Sequence, residues 1–146
     1  MELYHSTNQE ITKITKDGRF GCFLFFGNSM SGKSHGDIVY KLEIEEDLLI
    51  EANSIFYQEN SYELLKEEIK EVQELCGVDE QTAMSYIDES DYYQVCDEES
   101  AEISWDIQRI TAKCAKKMGF LGVAVSDEHG TSWMIDMLDK KLNRDE

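Results

Sequence analysis

Two short segments carry the residue types most suited to chemistry. Near the amino end, Leu3-Tyr4-His5-Ser6-Thr7 sets a histidine and two hydroxyls at the end of a short apolar stretch. Near the carboxyl end, Asp127-Glu128 falls in the turn of an expected hairpin, between Val123-Ala124-Val125-Ser126 and Gly130-Thr131-Ser132-Trp133-Met134-Ile135. A histidine can hydrogen-bond a ligand, and a carboxylate can stabilise developing positive charge. If the terminal strands meet, both groups face one cleft. Taken singly each is weak, because acids are common in hairpin turns and a histidine at a strand end is usually a surface or core-edge residue. Ser6 and Thr7 serve equally well as turn caps.

A third segment is louder. Gly27-Asn28-Ser29-Met30-Ser31-Gly32-Lys33-Ser34 fits the phosphate-loop pattern G-x-x-x-x-G-K-[ST] in full and follows an apolar run. That pattern cradles phosphates at the N-terminus of a helix. Here His35, Gly36 and Asp37 lead into a strand-like run instead. The rest of the chain shows no βαβ succession able to build a parallel nucleotide-hydrolase sheet. The segment therefore reads as a Ser/Gly-rich loop beside the site, and an NTPase ranks last among the readings.

The elements that must position these residues follow from patterning. At 146 residues, 41% hydrophobic and 10% aromatic, the chain suits one domain over 1–146 with a real core, its residues 138–146 expected to fray. Residues 2–5 read as a strand, and Phe20 to Phe26 as a buried one. Ile38, Tyr40, Leu42 and Ile44 alternate with Val39, Lys41 and Glu43, the period of a half-buried strand. Residues 48–57 fit no single pattern. Three helices are expected next. The first is capped by Asn60 or Ser61, carries Leu65, Ile69 and Val72 on one face and stops at Gly77; the second is capped by Asp79. The third spans about 99–118, with Ile103, Ile107, Ile110 and Cys114 on one face, and ends at Gly119. Between the last two lies an acid-rich loop, 88–99. Phe120–Val125 and Thr131–Met137 form the closing hairpin. The expected class is α+β, with helices inserted between strands of mixed or antiparallel sheets.

Charge limits the partners. Thirty-one acids against 14 bases give a net charge of −17, and no basic stripe exists to release counterions from a phosphate backbone. Direct nucleic-acid binding is not expected; a basic protein partner, or mimicry of nucleic acid, suits that sign. The bland alternative is solubility. No apolar run reaches the roughly 20 residues of a membrane span, and the amino end lacks a signal-peptide pattern. Cys22, Cys76, Cys96 and Cys114 are scattered without metal-like spacing, so reduced cytosolic thiols and no metal are expected.

Five stretches taken in order carry more than any one of them: Met1–Thr7, Gly18-Arg19-Phe20-Gly21, Ser54-Ile55-Phe56-Tyr57, Ile103-Ser104-Trp105-Asp106-Ile107-Gln108 and Asp127-Glu128-His129-Gly130-Thr131. In that order the chain resembles the ADP-ribosyltransferase fold of the diphtheria-toxin and poly(ADP-ribose) polymerase branch. The match is closer to the type I-F anti-CRISPR ADP-ribosyltransferases. The resemblance implies NAD as the cofactor and an oxocarbenium-like transition state, as in glycoside cleavage. It implies Asp127 as the catalytic carboxylate, with Glu128 the alternate, since adjacent strand residues point to opposite faces. His5 takes a ribose hydroxyl, Ser6 and Thr7 lie on the nicotinamide side, and Arg19 contacts the pyrophosphate. Phe25 or Phe26 walls the nicotinamide where relatives place a tyrosine, with Tyr40 and Tyr57 the alternates. Trp105 and Gln108, one turn apart, form a wall of the site; the competing reading puts Trp105 in the core.

The leading function is then a mono-ADP-ribosyltransferase acting in the cytoplasm of a bacterial host. Its expected target is a DNA-contacting protein subunit of the type I-F CRISPR surveillance complex, whose DNA binding the added group blocks by charge and bulk. Two alternatives compete with it: a non-enzymatic acidic DNA mimic, suggested by the −17 charge, and an ADP-ribosylating toxin or effector with another target.

Overall fold

A computed structural model describes residues 1–8, 23–28, 36–127, 130–138 and 143–144, and for 127, 130, 143 and 144 the backbone alone. Seven strands and four α-helices are described: β1 (Glu2–Thr7), β2 (Phe23–Phe26), β3 (Ile38–Glu43), β4 (Leu49–Glu51), α1 (Ser61–Leu64), α2 (Lys66–Cys76), α3 (Glu80–Ile87), α4 (Glu98–Lys117), β5 (Gly122–Asp127), β6 (Gly130–Asp136) and β7 (Asn143–Arg144). Two 3-10 helices, Glu46–Leu48 and Ala52–Tyr57, flank β4 and account for the mixed signals of 48–57.

The strands form two sheets, ordered β1-β3-β7 and β2-β6-β5-β4. Alternation in β6 sends neighbouring side chains to opposite faces, so Met134 joins the core under the helices while Ile135 joins a second core with Leu3, Phe26, Ile44 and Met137. The larger sheet is therefore covered by helices on one face and by β1 and its neighbours on the other. Among the described residues its one parallel pair, β4 with β5, is connected through all four helices, and every other pair is antiparallel. The class is α+β with a mixed sheet.

Local chemistry sets the helix ends. The Asp79 carboxylate accepts the Thr82 N–H at 2.8 Å and starts α3, and Asp97 accepts the Ser100 N–H at 2.8 Å in a capping box that starts α4. Gly77 ends α2 at φ 66°, and Gly119 follows α4 at φ 95°. Ile107, Ile110 and Cys114 are buried on the face of α4 that its spacing predicts. Burial also pushes the Cys114 thiol pKa upward, as suits a packing residue. On the flank of that core, Lys117 donates to the buried Glu68 at 2.9 Å, tying α4 to α2, and this bond raises the lysine's pKa.

Two expectations are revised. Asn60 makes no side-chain cap; it sits at φ 62°, a left-handed conformation asparagine tolerates, and turns the chain into α1. The single helix expected from Ser61 is broken at Leu65 into α1 and α2. Within the segment expected to fray, Asn143 and Arg144 pair with Lys41 and Tyr40 on the edge of β3, an edge whose backbone groups otherwise need another partner.

Candidate active site

The histidine segment is held by β2. Tyr4 and Gly27 exchange both backbone hydrogen bonds at 2.8 Å, joining β1 to the end of β2. One residue on, His5 Nδ1 lies 2.6 Å from the Phe25 carbonyl oxygen. A carbonyl only accepts, so Nδ1 carries the proton and donates. In the neutral ring Nε2 is then an acceptor, the role required toward a ribose hydroxyl. The ring packs against Phe26 at 5.7 Å between centroids. Ser6 is buried and Thr7 half-buried in the two residues that follow.

The described chain resumes at Gly36, at the end of β1. Ile38 opens β3, antiparallel to β1, so a strand and not a helix follows the phosphate-loop pattern. A Cβ at Gly36 would run into the Thr7 carbonyl and the Asn8 nitrogen, so only glycine passes there. The Asp37 N–H donates to Asn8 Oδ1 at 3.3 Å. Residues 29–34 of the pattern lie outside the described residues. Gly36 and Asp37, which follow the pattern, cross the end of β1 beside Thr7 and Asn8.

The two ends of the chain do not pair directly, because β2 and β6 lie between β1 and β5. Phe26 and Ala124 both register with Trp133, and Asp127 registers with Gly130, three residues further along. Two strand spacings and three residue rises put the Asp127 backbone ~14 Å from that of Phe26 on an untwisted sheet. A single side chain does not span that distance; an extended dinucleotide does. The Asp127 side chain, Glu128 and Arg19 lie outside the described residues.

The candidate aromatics divide by burial. Phe26 is 1% exposed and belongs to the inter-sheet core, so its ring has no face left for a ligand. Phe25 is partly buried against the core beneath the helices. Tyr40, opposite His5 in the β1–β3 pair, is itself buried, whereas Tyr57 is 86% exposed at the end of the second 3-10 helix. Trp105 is 46% exposed, which removes the core reading for it.

Patterning did not single out a second feature. A cleft of about 180 Å³ opens at the carboxyl ends of β4 and β5, lined by Glu51, Asn53, Glu89, Tyr92, Ser126 and Thr131. In it the Glu89 carboxylate accepts the Ser126 N–H with both oxygens, at 3.0 and 3.1 Å. The sequence marked the closing segment with Ser126 and Thr131, but on the other side it offered the acid-rich run 88–99, which reads as a solvated surface because the partner of Glu89 is 37 residues away.

Comparison with known proteins fits this arrangement. One solved structure, described as the crystal structure of an anti-CRISPR protein, shares the fold with a TM-score of 0.67 at 23% identity, over 99% of this chain and 95% of the other. No curated protein matches at a significant level. A family model described as anti-CRISPR type I-F ADP-ribosyltransferase AcrIF11 matches residues 1–143. The histidine strand, the larger sheet and the closing hairpin all fall within that span, and the chain belongs to this family of ADP-ribosyltransferases, whose activity draws on NAD.

Proposed function

We propose that the protein transfers a single ADP-ribose from NAD to a protein subunit of the type I-F CRISPR surveillance complex, at a surface that contacts DNA. The family match over residues 1–143 carries this reading. NAD supplies an ADP-ribosyl group whose bond to nicotinamide breaks as an acceptor nucleophile bonds the ribose carbon and gives up a proton. His5, with Nδ1 committed to the Phe25 carbonyl, presents an acceptor Nε2 to a ribose hydroxyl. Ser6 and Thr7 line the nicotinamide side, Arg19 contacts the pyrophosphate, and Phe25 or Tyr57 offers the ring wall. Asp127, with Glu128 the alternate, is the carboxylate that stabilises the developing positive charge. An ADP-ribose added to a DNA-contacting surface brings negative charge where phosphates must dock. The −17 charge of the enzyme favours its approach to such a basic surface.

Incubation with NAD and the purified surveillance complex, followed by intact mass, tests the reading. The expected result is an added ADP-ribose on one subunit, with the rate reduced about 100- to 1,000-fold in the Asp127→Ala/Glu128→Ala double variant. An absent adduct, or one formed at an undiminished rate by the double variant, sinks it. Full inhibition of DNA binding without NAD would instead support the acidic-mimic reading.

A further inference from the structure

Helix α3 ends at Ile87, and two residues later Glu89 adopts φ 62°. This is the left-handed position after a helix where glycine is usual and a longer side chain is strained. The turn around it is braced: the Asp88 carboxylate accepts both the N–H and the hydroxyl of Ser90, at 3.0 and 2.7 Å. The outcome is a carboxylate aimed at the far end of the sheet. Pairing of β4 with β5 stops at Glu51 and Ala124, where β4 turns into the second 3-10 helix. Two residues past that last pair, the Ser126 N–H is taken by Glu89. A side chain thus continues the sheet edge where the strand has left it, one residue before Asp127.

We infer that Glu89 is a positioning residue for the transferase reaction: through the Ser126 N–H it fixes the end of β5 that carries Asp127. The inference rests on the transferase reading above and on Asp127 as its carboxylate. A strand end held by hydrogen bonds on one side only can shift by an ångström. Misplacement of that size at a reacting group costs up to about 100-fold in rate. The strained backbone at Glu89 is the structural sign that this residue is kept for its side chain.

The test compares Glu89→Leu with Glu89→Gln. Leucine has similar size without an acceptor, glutamine keeps one oxygen for the Ser126 N–H, and both carry the same backbone strain. The rate of ADP-ribose addition to the surveillance complex, NAD affinity by calorimetry and hydrogen exchange of the Ser126 amide are measured on each. The leucine variant should lose about 10- to 100-fold in kcat with NAD affinity within about twofold of wild type. Its Ser126 amide should exchange faster, and glutamine should restore both properties to near wild type. Glu89→Gly, which relieves the strain, should match leucine in rate while melting no lower than wild type, and it replaces leucine if that variant does not fold. Unchanged kcat and unchanged Ser126 exchange in the leucine or glycine variant overturn the inference. So does a rate loss that follows a loss of NAD affinity. A wild-type protein that forms no adduct sinks the transferase reading itself, which separates the two failures.

Discussion

His5 shows how one hydrogen bond turns an ambiguous residue into a specific one. A histidine at a strand end carries no assigned role, yet donation from Nδ1 to the Phe25 carbonyl fixes both its tautomer and its ring orientation. His5→Ala should weaken NAD binding about 3- to 10-fold, the worth of one ordinary hydrogen bond, as calorimetry would read. Phe26, its neighbour in the ring contact, belongs to stability: Phe26→Ala should cost about 3–5 kcal/mol in denaturant unfolding because it empties the core between the sheets. Sequence placed the phenylalanine pair beside the site. It did not separate Phe26 from Phe25, because the Phe-rich run reads as continuously buried and only the packing of two sheets decides which ring each face takes. Glu89 was hidden for a related reason, since its partner lies on a different element.

The elements were legible where a local rule sets them. Spacing on α4, the cap at Asp79 and the glycine stops at 77 and 119 are legible from nearby residues; the cap at Asp97, equally local, lies in a stretch that reads as an acid-rich loop. The caps also make a prediction in pH. Hydrogen bonds from the Thr82 hydroxyl and N–H hold Asp79 below the ordinary carboxylate range, and the Ser100 N–H and hydroxyl do the same for Asp97. Because each folded-state pKa is lower than the unfolded one, the stabilisation is complete above the unfolded value, about 4, and is lost as pH falls through the folded value. Asp79→Asn/Asp97→Asn keeps a capping acceptor without a titrating group, so its melting temperature should fall less steeply than that of wild type below about pH 4. Thermal unfolding across pH 2–5 by circular dichroism checks this. Less legible was the region 48–57, where a three-residue strand between 3-10 turns has no periodicity to read.

At the scale of the whole molecule, the larger sheet is a shared wall between two cores. Gly122 marks how tightly it is built: a Cβ there would lie 2.6 Å from both Ile135 Cδ1 and the Met134 carbonyl. Gly122→Ala should therefore cost about 1–3 kcal/mol in denaturant unfolding through overpacking. The net charge of −17 acts at longer range. Adduct formation at low target concentration should slow markedly between about 0.05 and 0.5 M salt while saturated kcat changes little, as expected for steered encounter. A rate indifferent to salt would exclude charge as the guide to the target. The α+β class, α3 with its Asp79 cap, the spacing of α4, the strand pairing of the closing hairpin and the failure of the phosphate-loop pattern to start a helix were all determined by the sequence itself, since each depends on neighbours in the chain. That β2 and β6 separate the terminal strands, that Phe26 is core, and that Glu89 holds the end of β5 were decided only by the tertiary structure. Each depends on which distant segments share a sheet edge, and that is settled by the collective burial of both faces.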